Sequence, residues 1–97
     1  MSALMIATIT VKDMEKFQTY LAETQKVAAP FGAKLLVRGK ADHVLTGQAT
    51  NHGLVVVVEF PSLEKIEEWH TSDSYRPLVP LREEAADIVM TSYQVMS

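Results

Sequence analysis

The chain has 97 residues, a formal net charge of −3 and no cysteine. That length makes one domain, residues 1–97, able to bury roughly two-thirds of its unfolded surface. The missing cysteines exclude disulfides, zinc–thiolate sites and thiol nucleophiles. Acids and bases are interspersed, and the local basic cluster Lys34, Arg38 and Lys40 is too small for the stripe a nucleic-acid surface needs. The apolar run Leu54 to Val58 falls far below the ~20 residues of a membrane span. The first residues do not lead from a basic segment into a long apolar one. A soluble cytoplasmic protein is the expectation, with no nucleic-acid or membrane partner.

Leu4 to Val11 alternates and is rich in Ile, Val and Thr, which predicts a first strand. Asp13 is placed to cap a helix, because its carboxylate accepts orphan backbone N–H groups. Met14, Phe17, Leu21, Thr24 and Ala28 recur at three- and four-residue steps and mark its buried stripe. Pro30 and Gly32 end it. Leu35 to Gly39 reads as a second strand, extended by His43-Val44-Leu45 after an irregularity at Gly39. Thr50-Asn51-His52-Gly53 reads as a turn, and Leu54 to Phe60 as a third strand.

Ser62 is placed to cap a second helix whose buried face is Leu63, Ile66 and Trp69. Pro77 and Pro80 break the segment 73–87 into a short helix from near Asp73 and another turn or two around Leu81 to Ala86. Ile88 to Val95 closes the chain as a strand. The order βαββαβ predicts a ferredoxin-like α+β sandwich, an antiparallel sheet with helices on one face. Both faces of Leu54 to Phe60 are apolar, as are both faces of the first strand. Two helices cover only one face, so a second copy of the chain is expected over the other.

Chemistry concentrates between Glu59 and Arg82. Arg38, Trp69, His70, Ser72, Tyr75 and Asp13 are expected near one end of the molecule, with Glu59 toward the other. Arg38 has the planar fork that holds a carboxylate or enolate oxygen; an ion pair at a strand end is its plainer role. His70 titrates near neutrality and is the best general-base candidate, although a surface histidine at a helix C-terminus is commoner. Trp69 and Tyr75 suit an apolar wall and a hydroxyl donor, or simply core aromatics. Ser72 or Asp73 suits an N-cap. Arg82 has the same two readings as Arg38, and Glu59 is either a buried carboxylate of functional interest or a residue at a wet rim or paired across the dimer. The ligand-binding candidates are therefore Arg38, Trp69, His70 and Tyr75, with no catalytic residue assigned, no metal site and no cofactor. His43, His52 and His70 lack ligand spacing, and Glu67-Glu68-Trp69-His70 is a single Glu-x-x-His where a di-metal bundle needs two. No P-loop, dinucleotide fingerprint or nucleophile elbow is present.

The set Leu36-Val37-Arg38-Gly39, Gly47, Glu59-Phe60-Pro61-Ser62, Trp69, Ser72-x-x-Tyr75 and Pro80-Leu81-Arg82, taken in order, resembles the domain of unknown function 1330 family over nearly the whole chain. The resemblance implies a dimeric α/β barrel, in a superfamily that includes cofactor-independent monooxygenases and haem proteins. It also implies small-molecule binding between sheet and helices, and a structural tie through Arg82. Lys40 and Asp73-Ser74 depart from the family pattern. The functional expectation is a homodimer that binds a small organic molecule, with cofactor-independent, monooxygenase-like chemistry open to it. The alternative is a non-catalytic homodimeric interaction module.

Overall fold

The computed structural model describes residues 2–96. Four strands form one antiparallel sheet: β1 (Ala3–Val11), β2 (Lys34–Lys40), β3 (Leu54–Phe60) and β4 (Ala86–Gln94), in the spatial order β2-β3-β1-β4. Three α-helices, α1 (Met14–Ala28), α2 (Leu63–His70) and α3 (Val79–Ala85), complete a ferredoxin-like α+β fold. Short 3₁₀ turns at Ala29–Phe31 and Arg76–Leu78 link them.

Local chemistry sets the helix starts. Asp13 Oδ1 accepts from the Lys16 N–H at 3.1 Å, and Ser62 Oγ accepts from the Lys65 N–H at 3.2 Å. The backbone N–H groups of Lys12 and Asp13 both donate to the Ala85 carbonyl, at 2.8 and 3.0 Å, which fastens the end of β1 to the end of α3. Gly32 has φ of 84°, and a Cβ there would meet the Pro61 ring at 2.6 Å. Only glycine satisfies that backbone and that approach together, so the α1–β2 corner sits directly on the β3–α2 corner.

The helix-facing side of the sheet carries Ala3, Met5, Ala7 and Ile9 from β1 and Val56 and Phe60 from β3, all buried. Ile66 and Trp69 of α2 and Phe17, Tyr20 and Ala28 of α1 close over them. The predicted α1 stripe holds at Phe17 and Ala28, but Met14 is 55 % exposed and Tyr20 is buried instead. Tyrosine can take that place because its hydroxyl finds a buried partner, Tyr75. On α2, Leu63 is exposed while Ile66 and Trp69 are buried.

The irregularity expected at Gly39 lies at Leu36: the register shifts between Leu35 and Val37. Such a bulge twists an edge strand and blunts it against further pairing. His43-Val44-Leu45 does not extend β2. Ladder pairing stops at Lys40 opposite Leu54, residues 41–53 belong to no strand, and Leu45 is exposed. The segment after α2 runs through turns at 71–75 into the 3₁₀ turn and α3, so the helix expected at Asp73 begins later.

The other side of the sheet presents Leu4, Ile6, Val55 and Val57, half-buried, with Val37, Val89 and Tyr93 about half exposed. Among the described residues, no helix covers it. No helix among the described residues is long and apolar enough to cross a membrane.

Candidate functional site

Small residues create the site. Ala7 on β1, Ala28 on α1 and Ala33 before β2 stand where larger side chains would fill the space between helix and sheet. What remains is a cavity of about 280 Å³. Its floor is Met5, Ala7, Val56 and Val58, its roof Tyr20, Leu21 and Thr24, and one wall Trp69 with Phe60. Leu35 and Arg38, both exposed, lie at its rim. An apolar cavity of about 150 Å³ takes a benzene, so this one suits an organic molecule about twice that size.

Trp69 is fixed by aromatic neighbours. Its ring centroid lies 4.6 Å from Tyr75 and 5.5 Å from Phe60, both in tilted arrangements. The turn that follows α2 carries Tyr75 inward: Ser72 Oγ donates to the Trp69 carbonyl at 2.7 Å and accepts from the Tyr75 N–H at 3.1 Å. Ser72 thus caps that turn. The Tyr20 and Tyr75 hydroxyls are 2.7 Å apart, and Arg82 Nη1 donates to the Tyr75 hydroxyl at 3.0 Å. Arg82 Nη2 donates to Glu83 Oε1 at 3.0 Å. The role left open for Arg82 is filled here: it ties α3 to the tyrosine pair.

Two polar atoms are left over. Trp69 Nε1 and Thr24 Oγ1 are both buried and have no hydrogen-bond partner, and both residues line the cavity. An unmade buried hydrogen bond costs about 1–3 kcal/mol. Two of them on one cavity are a reason to look for what completes them.

The electrostatics follow from burial. Desolvation, then the neighbouring Tyr75, pushes the Tyr20 phenol far above its ordinary range, so it stays protonated. The Thr24 hydroxyl is near enough to favour ionisation slightly, without meeting Tyr20 in hydrogen-bonding geometry. Burial works against the Arg82 charge, but its bonds to Glu83 and Tyr75 outweigh that and raise its pKa. His70 is held below its usual value by partial burial and then by the Arg82 charge.

The structure brings Trp69, His70 and Tyr75 together: the His70 ring centroid is 5.5 Å from Tyr75 and 5.9 Å from Trp69. His70 nevertheless lines an adjoining groove with Ile66, Glu67, Met90 and Ser92, which shares Trp69 with the cavity. Arg38 shares the cavity with Trp69 but at its rim. Tyr75 lies behind the wall, fully buried. Glu59 is half-buried on the opposite face of the sheet, in register with Leu4 and Lys34. Sequence reasoning missed Tyr20 and took Thr24 for a stripe residue alone. Their signal was two hydroxyls four residues apart, one helical turn, on an apolar face. Among the described residues, no three His, Asp or Glu side chains are grouped to hold a metal ion.

No curated protein matches the chain. Among solved structures, a protein of unknown function from Rhodopseudomonas palustris superposes with a TM-score of 0.82 at 19 % identity, over 99 % of this chain and 83 % of that one. SnoaB, a cofactor-independent oxygenase from Streptomyces nogalater, gives 0.71 at 9 % identity, over 99 % and 94 %. A dimeric ferredoxin-like protein of unknown function from Thermobifida fusca gives 0.60 at 18 % identity, over 98 % and 92 %. These likenesses concern the fold. The sequence itself matches a family over residues 2–95, and on that ground the chain belongs to the family described as domain of unknown function DUF1330.

Proposed function

We propose that this protein is a homodimer that binds a small, largely apolar organic molecule in the cavity between α1 and the sheet. The observation that carries the reading is the pairing of a half-open apolar cavity with two unpartnered buried polar atoms, Trp69 Nε1 and Thr24 Oγ1. A packed interior leaves neither voids of this size nor orphan donors. A ligand removes both costs at once. Arg38 at the rim meets an anionic or polar end of the molecule, and Trp69 with Tyr75 behind it forms the stiff wall. His70, just outside, is the group available to move a proton at a ligand edge that reaches its groove. SnoaB shows that cofactor-independent oxygenation occurs on this fold, and chemistry of that kind suits a ligand whose own carbon framework is activated by hydrogen bonds. The second copy of the chain covers the open sheet face, where Ile6, Val57, Val89 and Tyr93 would otherwise face water.

A second reading rests on that same face: a non-catalytic interaction module whose dimer is its function. Native mass spectrometry of untagged protein from its own cells separates the two. The binding reading expects a dimer with a reproducible extra mass, lost in Ala28→Leu, whose longer side chain occupies the cavity. A bare dimer favours the interaction module. A bare monomer overturns the covering of the open face.

A further inference from the structure

We propose that the cavity selects a ligand carrying a hydrogen-bond-accepting oxygen, a ketone, quinone or enolate, and that Tyr20, oriented by Arg82 through Tyr75, is the residue that reads it. This rests on the binding reading above and names the chemical class that the site takes.

The argument is one of proton direction. A guanidinium has donors and no acceptor. In the 3.0 Å contact with Arg82, the Tyr75 oxygen therefore accepts. Tyr75 is fully buried, and its own hydroxyl proton has one hydrogen-bonding partner in reach, the Tyr20 oxygen at 2.7 Å. One hydroxyl proton is left over in either arrangement. On Tyr75 it is stranded in the core, at the cost of an unmade buried bond. On Tyr20 it belongs to a residue that lines the cavity, where a ligand or water can meet it. So Tyr75 donates and Tyr20 accepts. The Tyr20 proton is then turned away from Tyr75 and has no partner of good geometry, although Thr24 is close by. Arg82 thus fixes the polarity of a two-tyrosine chain that ends at the cavity.

Tyr20 O–H joins the Trp69 indole N–H and the Thr24 hydroxyl on residues lining one space. Two of these three are spare donors, and the third serves as a donor as readily as an acceptor. Because burial keeps the Tyr20 phenol protonated, the donor persists across the whole physiological pH range. A ligand oxygen with two lone pairs satisfies such a set; a hydrocarbon leaves it orphaned, and a ligand whose one polar group is a pyrrole-type N–H, which donates and does not accept, opposes it.

The test uses two probes of one shape, 1-indanone and indane, which differ at the carbonyl. Trp69 is the sole tryptophan, so its indole N–H gives a single nuclear magnetic resonance signal that reports occupancy. The wild-type protein should bind the ketone about tenfold tighter than the hydrocarbon, the worth of one to two neutral hydrogen bonds. Tyr20→Phe should bring that ratio most of the way to one while leaving indane affinity unchanged. Arg82→Met, which frees the tyrosine pair to reverse, should reduce the ratio, and Arg82→Lys, which keeps a donor, should restore it. Equal wild-type affinities would overturn the selection of an acceptor while keeping the binding site. Parallel loss of both probes in Tyr20→Phe would make Tyr20 a packing residue. Failure of both probes to bind the wild type would remove the cavity reading itself.

Discussion

The helix layer is two different materials on one sheet. Under α2, Phe60, Trp69 and Tyr75 interlock at 1 % exposure or less, ring against ring. Under the second half of α1, Thr24, Ala28, Ala7 and Ala33 leave about 280 Å³ unfilled. The same chain packs its aromatic side chains closely right beside the hollow, where Trp69 belongs to both regions. The hollow therefore follows from which residues stand there, small ones facing small ones, with the bulged edge strand β2 alongside them. Tight packing on one side gives the hollow side a rigid wall, and that combination is what a preorganised binding site requires.

A matched pair of truncations tests the contrast most strongly. Ile66 on α2 is buried against the sheet, whereas Leu21 on α1 is half-buried and lines the cavity. Ile66→Ala should destabilise the protein by about 3 kcal/mol, since its neighbours cannot collapse into the gap. Leu21→Ala should cost about 1 kcal/mol, because less apolar surface is re-exposed and the space beside it is already empty. Urea denaturation of both variants gives the ratio. Equal costs would mean that the α1 side is as well packed as the α2 side.

A smaller effect of opposite sign is expected at Thr24. Thr24→Val removes the orphaned hydroxyl and keeps the side-chain shape, so stability should rise by about 1 kcal/mol. Affinity for an oxygen-bearing ligand should fall in the same variant. Stability and binding moving in opposite directions is the signature of a polar atom kept for a ligand. A stability loss would show that the hydroxyl has a partner in the folded protein.

The contrast also marks what the sequence could convey. The strand Leu54–Phe60 and the caps Asp13 and Ser62 were legible because each depends on local chemistry: alternation, and a side-chain oxygen within reach of N–H groups three residues on. The bulge at Leu36 was misplaced to Gly39 because glycine is the local sign of a bulge, while the actual one is set by pairing with β3. At the site, Trp69 and Tyr75 were legible as aromatics around one turn. Tyr20 was not, since its hydrogen-bond partner Tyr75 lies 55 residues away in the chain. The hollow was invisible as well: an alanine reads the same whether the space before it is filled or empty.

The faintest expected effect links the packed side to the tyrosine chain through charge. His70 has its pKa lowered by partial burial and secondarily by Arg82. In the unfolded chain the imidazole binds its proton near the ordinary value of 6.5, before the folded protein does. Stability therefore falls as pH drops from about 6.5 through the folded pKa, and His70→Asn should flatten that part of a plot of Tm against pH. His70 is only partly buried, so the slope is shallow. The two causes separate in Arg82→Met. Losing the guanidinium should move the His70 titration, followed by nuclear magnetic resonance, upward but leave it short of 6.5, because the burial remains. An unmoved titration would show that solvent screens the two groups from one another. The field of Arg82 would then act only inward, along the hydrogen bond to Tyr75.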